Sequence, residues 1–414
     1  MPERPSGNNR THFWHLREDH YALCPACCAH ALVTMPAFAR AEGRGYTYGV
    51  NSGPPLYLLP VGGNLFESLA LSLLTEGYLR HADKTRHEIA PWKRFEVEAK
   101  RETERVGYIE ALTFPARRIR LFPRNTPGEC ALCGTQSDVL VARIYYAPGQ
   151  RWKKDSKLWW QDAFVSYMLP DTKPRKSSGA SSPSTKNEKP SGITLKPGRA
   201  IWRDYHSLLR LHNDSDPQHE LLGALWLQQL RVALIGDEGR YPATEPIRVR
   251  CLGMRVSSDA KIFEWMDEAL EAPAGLLRDE GSLDTVAKMI QRADDCAKIL
   301  RNVFNRNFIA KRGRTAKMDE KDREKARRCR TARERMLATY WEQLAEPFRA
   351  FVRRSGDLEA RRLIREEWSK YVVNVTRDVF TEMVDLLGER GELLRQSAEA
   401  RNDLSKELDK YEHA

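Results

Sequence analysis

Two cysteine pairs, Cys24-Pro-Ala-Cys27 and Cys130-Ala-Leu-Cys133, constrain this chain more than any other feature. In a C-x-x-C knuckle both sulfurs point the same way while backbone N–H groups turn toward them, so two knuckles together make a tetrahedral thiolate site. Gly134 follows the second pair and allows the positive φ that such a turn often needs. With 102 residues between Cys27 and Cys130, a shared metal would staple two distant segments and not form a compact finger. The expected ion is zinc, and a site closed by four thiolates is structural and not catalytic. Two readings stand beside it: a redox C-x-x-C, which lacks a following βαβ pattern and does not need a second pair, and plain buried thiols. Cys28 adjoins the first pair, but consecutive residues rarely point at one metal; Cys251, Cys296 and Cys329 stand in apolar or helical contexts.

The remaining sequence is that of a globular protein. Of 414 residues 41% are hydrophobic and 30% charged, enough for a buried core in two or three domains. No apolar run approaches the ~18 residues of a membrane span, and the opening Met1–Gly7 has no apolar secretory segment. The expectation is a cytoplasmic protein with reduced thiols and no membrane partner. The net charge of +11 is concentrated. Residues 170–199 carry 7 basic and 2 acidic side chains, and residues 310–335 carry 12 and 5. Two basic segments on a near-neutral body suit a polyanion; solvated loops and helix faces laced with pairs such as Asp319–Arg323 are the alternative.

The predicted fold class is α+β, a mixed N-terminal domain over residues 1–255 with a zinc-stapled core, followed by an all-α helical bundle over 256–414. Leu56–Val61 and Val139–Tyr146 have strand character, as does Leu158–Met168, and Ala224–Leu234 is read as a strand or short helix. Asn64 offers an N-cap to an amphipathic helix running to Arg80, with Leu65, Leu69, Leu73 and Leu74 at helical spacing. Residues 170–199, rich in Ser, Pro, Lys, Gly and Thr, read as a mobile basic loop. Ala260–Leu270, Ser282–Phe308, Thr315–Val352, Leu358–Leu387 and Glu392–Tyr411 read as helices, with Pro347 expected to kink or split the third.

No catalytic apparatus is visible. The glycine-rich stretch Gly43–Gly49 lacks the offsets of a nucleotide fingerprint, no phosphate-binding loop occurs, and the histidines form no H-E-x-x-H arrangement. Asp294 and Asp295 are adjacent on a helix, so their carboxylates diverge by about 100°. The glycine stretch, flanked by Arg40, Arg44 and Tyr46, suits close backbone approach to a groove or phosphate, or is an ordinary flexible loop.

An ordered set of motifs resembles the large subunit (CasA type) of the type I-E CRISPR surveillance complex, Cascade. The set comprises Ala22–Cys27, Gly43-Arg-Gly-Tyr46, Ser52-Gly-Pro-Pro55, Asn64-Leu-Phe-Glu67, Gly128–Gly134, Gly253–Ala260 and the terminal helices, and it spans about Thr11 to the end. The resemblance implies a non-enzymatic subunit that recognises the protospacer-adjacent motif of double-stranded DNA from the minor groove. It also implies that the subunit wedges the duplex open for guide-RNA pairing and R-loop formation, and later docks the helicase-nuclease. Its partners would be target DNA, the guide RNA, the other Cascade subunits and the helicase-nuclease. The glycine loop of the family maps onto Gly43, Arg44, Gly45 and Tyr46, with Gly45 the close-approach position. A minor-groove contact maps near Gln150, Arg151 and Lys153. The wedge hairpin maps onto Ser257–Ala260, where Ser258 and Asp259 occupy the tip in place of the family's usual glutamine. The chain reads as a short form that begins inside the family's N-terminal domain. The alternative from another class is a zinc-containing nucleic-acid-processing enzyme such as a nuclease.

Overall fold

The structure, a computed structural model, describes residues 21–39, 46–51, 53–79, 90, 93, 102–153, 159–169, 190–196, 198–210, 221–236, 241–256, 262–309, 320–357, 359–387 and 392–412. Along the chain the elements are α1 (Pro25–Phe38), β1 (Tyr57–Val61), α2 (Leu65–Leu71), β2 (Glu102–Thr103), α3 (Tyr108–Leu112), β3 (Arg117–Arg124), β4 (Gly128–Glu129), β5 (Gln136–Ser137), β6 (Leu140–Pro148), β7 (Arg151–Trp152), β8 (Tyr167–Met168), β9 (Ser191–Gly192), α4 (Tyr205–Leu209), β10 (Leu221–Leu222), α5 (Leu225–Gly236), β11 (Pro246–Val256) and β12 (Ile262–Pro273). Helices alone follow: α6 (Ala274–Arg278), α7 (Glu280–Phe308), α8 (Glu320–Arg354), α9 (Arg361–Leu386) and α10 (Glu392–Glu412). The architecture is therefore α+β with a helical C-terminal region, as the sequence implies. The chain divides into two compact units. One comprises Met1–Arg199, Ser207–Ala233 and Arg248–Leu270, the other Ala200–His206, Leu234–Ile247 and Glu271–Ala414.

In the first unit, β1 pairs antiparallel with β11 in a sheet ordered β1-β11-β12, with Leu58 opposite Cys251 and both fully buried. Trp226 of α5 is buried behind β1 and donates its indole N–H to the Leu58 carbonyl at 2.8 Å, so the largest ring in this core carries no orphan donor. A second sheet is the long antiparallel pair β3–β6, running from Arg117 opposite Pro148 to Arg124 opposite Leu140, with an irregularity between Phe122 and Pro123. Proline lacks the N–H that a regular ladder uses, and the register shifts there. At the open end of this hairpin the Gly149 N–H donates to Ala116 O and the Gln150 N–H to Pro115 O. A Cβ on Gly149 would lie 2.1 Å from the Pro115 oxygen, so only glycine fits this backbone crossing.

The second unit is built on α7 to α10. The apolar stripe of α7 is buried along its length, from Leu283 through Met289, Ala293 and Leu300 to Phe304, as its 3.6-residue period requires. Trp368 of α9 donates to Met289 O at 2.8 Å and Tyr340 of α8 to Ala293 O at 2.8 Å, so two buried aromatic donors tie their helices to α7. The stripe of α9 is buried from Ile364 to Met383, but Leu386 at its end is exposed. Asp279 caps α7: it accepts the Gly281 N–H and the Ser282 hydroxyl, and pairs with Arg361 at 2.6 Å.

Several sequence expectations are corrected. Of residues 260–270, expected to be helical, 262–270 form most of β12, where Met266, Leu270 and Ala272 are buried at even spacing and Asp267 forms a two-pronged ion pair with Arg250 of β11; 260 and 261 lie outside the described residues. Helix formers dominate that sequence, but pairing with a neighbouring strand outweighs a weak local preference. The first alternative for 224–234, a strand, gives way to helix α5: an apolar run does not distinguish the two by period. Of 158–168 only Tyr167–Met168 is a strand, preceded by an isolated bridge of Val165 to Tyr57. The helix expected to reach Arg80 ends at Leu71, and Gln229 of α5 takes over, accepting the Thr75 N–H and donating to Leu73 O. Asn64 does cap it, accepting the Glu67 N–H, yet Leu65, Leu69 and Leu73 are exposed and form no core. Pro347 lies inside α8, which continues unsplit to Arg354 with Phe348 and Val352 buried beside it. Most of the 170–199 segment, and the Lys311–Asp319 part of the second basic run, lie outside the described residues.

Candidate metal centre and nucleic-acid interface

The four cysteines separated by more than a hundred residues converge. Their sulfurs all lie within 4.8 Å of one another, with Cys24 and Cys133 Sγ 3.9 Å apart. A tetrahedron with zinc–sulfur arms of 2.3 Å has edges of about 3.8 Å, so the set fits a four-thiolate ion. Each knuckle is held by its own element. Cys24 is the N-cap of α1 with Pro25 as its first residue, which places Cys27 in the first turn. Cys130 ends the short β4–β5 hairpin on one side, and Gly134, at φ +70°, turns the chain back on the other. This is the positive φ that the sequence anticipates after the second pair. The segments are joined by backbone hydrogen bonds, with Leu23 and Val141 exchanging N–H donors and Ala131 donating to Ala22 O.

The electrostatics suit thiolate formation in the second knuckle. Burial pushes the Cys130 thiol up, but N–H groups of Cys24, Cys133 and Leu132 outweigh it and bring its pKa down to about 6. Cys133 is lowered as well, chiefly by the Thr135 hydroxyl. Cys27 is pushed up to about 12 by its hydrogen bond to Cys133 and by burial. Cys28 is buried in the cluster around Leu23 and Val141 and stands outside the four. Cys251, Cys296 and Cys329 are buried free thiols elsewhere.

Of the proposed DNA-contacting residues, Gly43, Arg44, Gly45, Ser258 and Asp259 lie outside the described residues. Tyr46, the first described residue after the glycine stretch, is anchored. Its ring stacks on Tyr146 at 5.6 Å, and its hydroxyl donates to Tyr146 O at 3.5 Å. The guanidinium of Arg117 lies 5.0 Å from the Tyr46 ring centre and 5.7 Å from that of Tyr146. Arg117 is itself buried, donating through Nε to the Tyr146 hydroxyl and through Nη1 to Thr47 O, each at 2.7 Å. Gln150 is buried and its Oε1 has no hydrogen-bond partner among the described residues. Arg151 and Lys153 are exposed on and beside β7, ion-paired with Glu102 at 2.5 Å and Glu104 at 3.4 Å. The structure thus brings Tyr46 and residues 150–153 to the same end of the β3–β6 hairpin. Neither Arg117 nor Tyr146 is among the site residues that the sequence suggests; the one local signal is an arginine in phase with the apolar positions Ile119 and Leu121. On α8, Arg323, Arg327, Arg330 and Arg335 are exposed, and Arg328 pairs with Glu324 one turn away. No helix among the described residues is long and apolar enough to cross a membrane.

No curated protein matches the chain by sequence. Among solved structures, CasA of Thermus thermophilus superposes with a TM-score of 0.65 at 21% identity, covering 94% of this chain and 73% of its own. Cse1 of Acidimicrobium ferrooxidans gives 0.61 at 20% identity, covering 93% and 74%. A chain of a CRISPR RNA-guided surveillance complex gives 0.55 at 16% identity, covering 97% and 72%. These likenesses establish a shared fold. The profile of the CRISPR-associated protein Cse1 family matches residues 1–379. With nine-tenths of its length under that profile and the same fold as solved CasA and Cse1 chains, the chain belongs to the Cse1 family of CRISPR-associated proteins, the CasA-type large subunits.

Proposed function

We propose that this chain serves as the large subunit of a type I-E Cascade, recognising the protospacer-adjacent motif in double-stranded target DNA and helping to open the duplex for guide-RNA pairing. The observation that carries the reading is the anchoring of Tyr46 by Arg117 and Tyr146 at the hairpin end from which Gln150, Arg151 and Lys153 emerge. A glycine loop tethered there would approach a minor groove with little side-chain bulk, beside cations able to exchange carboxylates for phosphates. The minor groove offers a degenerate pattern, which suits tolerance of several motifs. Ser258 and Asp259, between the paired strands β11 and β12, are the candidate wedge tip. Exposed arginines of α8 are candidate contacts to the opened DNA, where phosphate binding carries no sequence information. Zinc bound by Cys24, Cys27, Cys130 and Cys133 would hold the recognition unit together without touching DNA. The other Cascade subunits, the guide RNA and the helicase-nuclease are the proposed partners.

The test is electrophoretic binding to duplexes with randomised flanking motifs at fixed salt, with and without a guide-loaded Cascade lacking its large subunit. Motif-dependent binding that arises only with the complex is the expected result, and Gly45→Asp should abolish it while leaving non-specific binding intact. Binding indifferent to both motif and complex would overturn the reading.

A further inference from the structure

A cavity of about 140 Å³ lies in the first unit, and none of the cysteines is among its lining residues. Its walls are aromatic: Trp152 of β7, Trp159, Trp160 and Tyr167 of β8. Trp160 and Tyr167 are buried, Trp152 and Trp159 half-buried, so two rings form the floor and two reach toward solvent. One polar side chain on the wall, Asn51, is fixed in orientation, since its Nδ2 donates to the buried Asp162 at 3.1 Å and its Oδ1 accepts the Tyr167 hydroxyl at 3.0 Å. The mouth carries Ser191 and Thr194, both exposed. Among the described residues no charged side chain lines the cavity.

These properties select a ligand class. A volume of about 150 Å³ accommodates one benzene-sized ring, so this cavity takes one six-membered ring and not a fused pair. A cation would find no counter-ion on the walls, and a phosphate no cation. A neutral planar ring with hydrogen-bonding edges meets aromatic faces and an amide, as nucleobases do on single-strand-binding proteins. We infer that this cavity is a binding pocket for a single unpaired pyrimidine base of a nucleic-acid strand, stacked against Trp152 and Trp159 with its edge toward Asn51. The proposal rests on the DNA-binding reading only for the source of the base, not for the existence of the pocket.

Saturation-transfer NMR and equilibrium titration of the full chain with dCMP, dTMP, dAMP and dGMP test it. The pyrimidine nucleotides are expected to bind about tenfold more tightly than the purines, the discrimination that a pocket one ring too small gives. Trp159→Leu should weaken dCMP binding by roughly 5- to 150-fold, the range of base–aromatic stacking. Thr194→Trp, at an exposed lining position, fills the cavity and should abolish dCMP binding while leaving the circular dichroism spectrum unchanged. Comparing dCMP with CMP assigns the source to DNA or RNA. Equal binding of purines, dCMP binding that survives Thr194→Trp, or tetramethylammonium binding in place of dCMP would overturn the pocket. Pyrimidine binding without motif-dependent duplex binding would keep the pocket and remove the recognition reading; the reverse would remove the pocket alone.

Discussion

Arg117→Ala removes the side chain that ties the end of the glycine stretch to the β3–β6 hairpin. The buried guanidinium makes two charge-assisted hydrogen bonds of 2.7 Å, to the Tyr146 hydroxyl and Thr47 O, and lies over two tyrosine rings. Hydrogen bonds to charged groups contribute about 1.5–3 kcal/mol each, and cation–π contacts about 0.5–2. Relief of the guanidinium's own desolvation offsets part of this sum. A net local loss of about 3 kcal/mol remains, which corresponds to roughly 100-fold faster amide exchange where exchange follows local opening. Hydrogen-exchange mass spectrometry on peptides covering 46–51 and 144–150 should show that loss, with exchange around α7 to α10 unchanged. Arg117→Lys keeps the charge but loses the planar fork, and should fall between. A change below about 0.5 kcal/mol, the scatter of ordinary surface substitutions, would refute the reasoning. Motif-dependent binding should fall with protection if the anchor positions the reader.

Cys130→Ser should lower bound zinc, measured by elemental analysis after dialysis, and expose the 21–39 region to proteolysis while circular dichroism retains the helices of the second unit. Gly149→Ala would force a Cβ into the Pro115 carbonyl and should displace residues 150–153. The check is loss of exchange protection at Lys153, whose N–H bonds Thr103 O. In the second unit, burial pushes the Asp279 carboxyl up, but Arg361, the Ser282 hydroxyl and the Gly281 N–H outweigh it and hold its pKa below the ordinary range. A depressed folded pKa stabilises above the unfolded value of about 3.9, and that contribution is lost as pH falls through the folded pKa. Asp279→Asn keeps a cap but not the charge. It should therefore be less stable than the native chain in urea at neutral pH and equal to it near pH ~2.

What was legible in the sequence follows the range of the forces involved. The Cys24–Cys27 and Cys130–Cys133 knuckles were legible because metal-ligand spacing is local and glycine marks the turn. The helices α7, α9 and α10 were legible because an apolar stripe of period 3.6 extends over many turns. Strand β12 was not: Glu268, Ala269 and Glu271 favour a helix, and only pairing with the preceding strand β11, which no local propensity announces, makes it a strand. Leu65, Leu69 and Leu73 carried a helical period, but periodicity cannot say whether a stripe faces a core or solvent. The Arg117 anchor depends on Tyr46 and Tyr146, a hundred residues apart, and no local pattern announces such a meeting.

The distance between the knuckles also sets a clock. A ribosome adds about 5–20 residues each second, so Cys24 and Cys27 emerge roughly 5–20 s before Cys130 and Cys133. Throughout that interval the Leu23 N–H and carbonyl have no Val141 to exchange with, and two thiols await their partners. The first unit therefore cannot close in step with its synthesis. Its opening segment waits, reduced and unpaired, until more than a hundred further residues arrive.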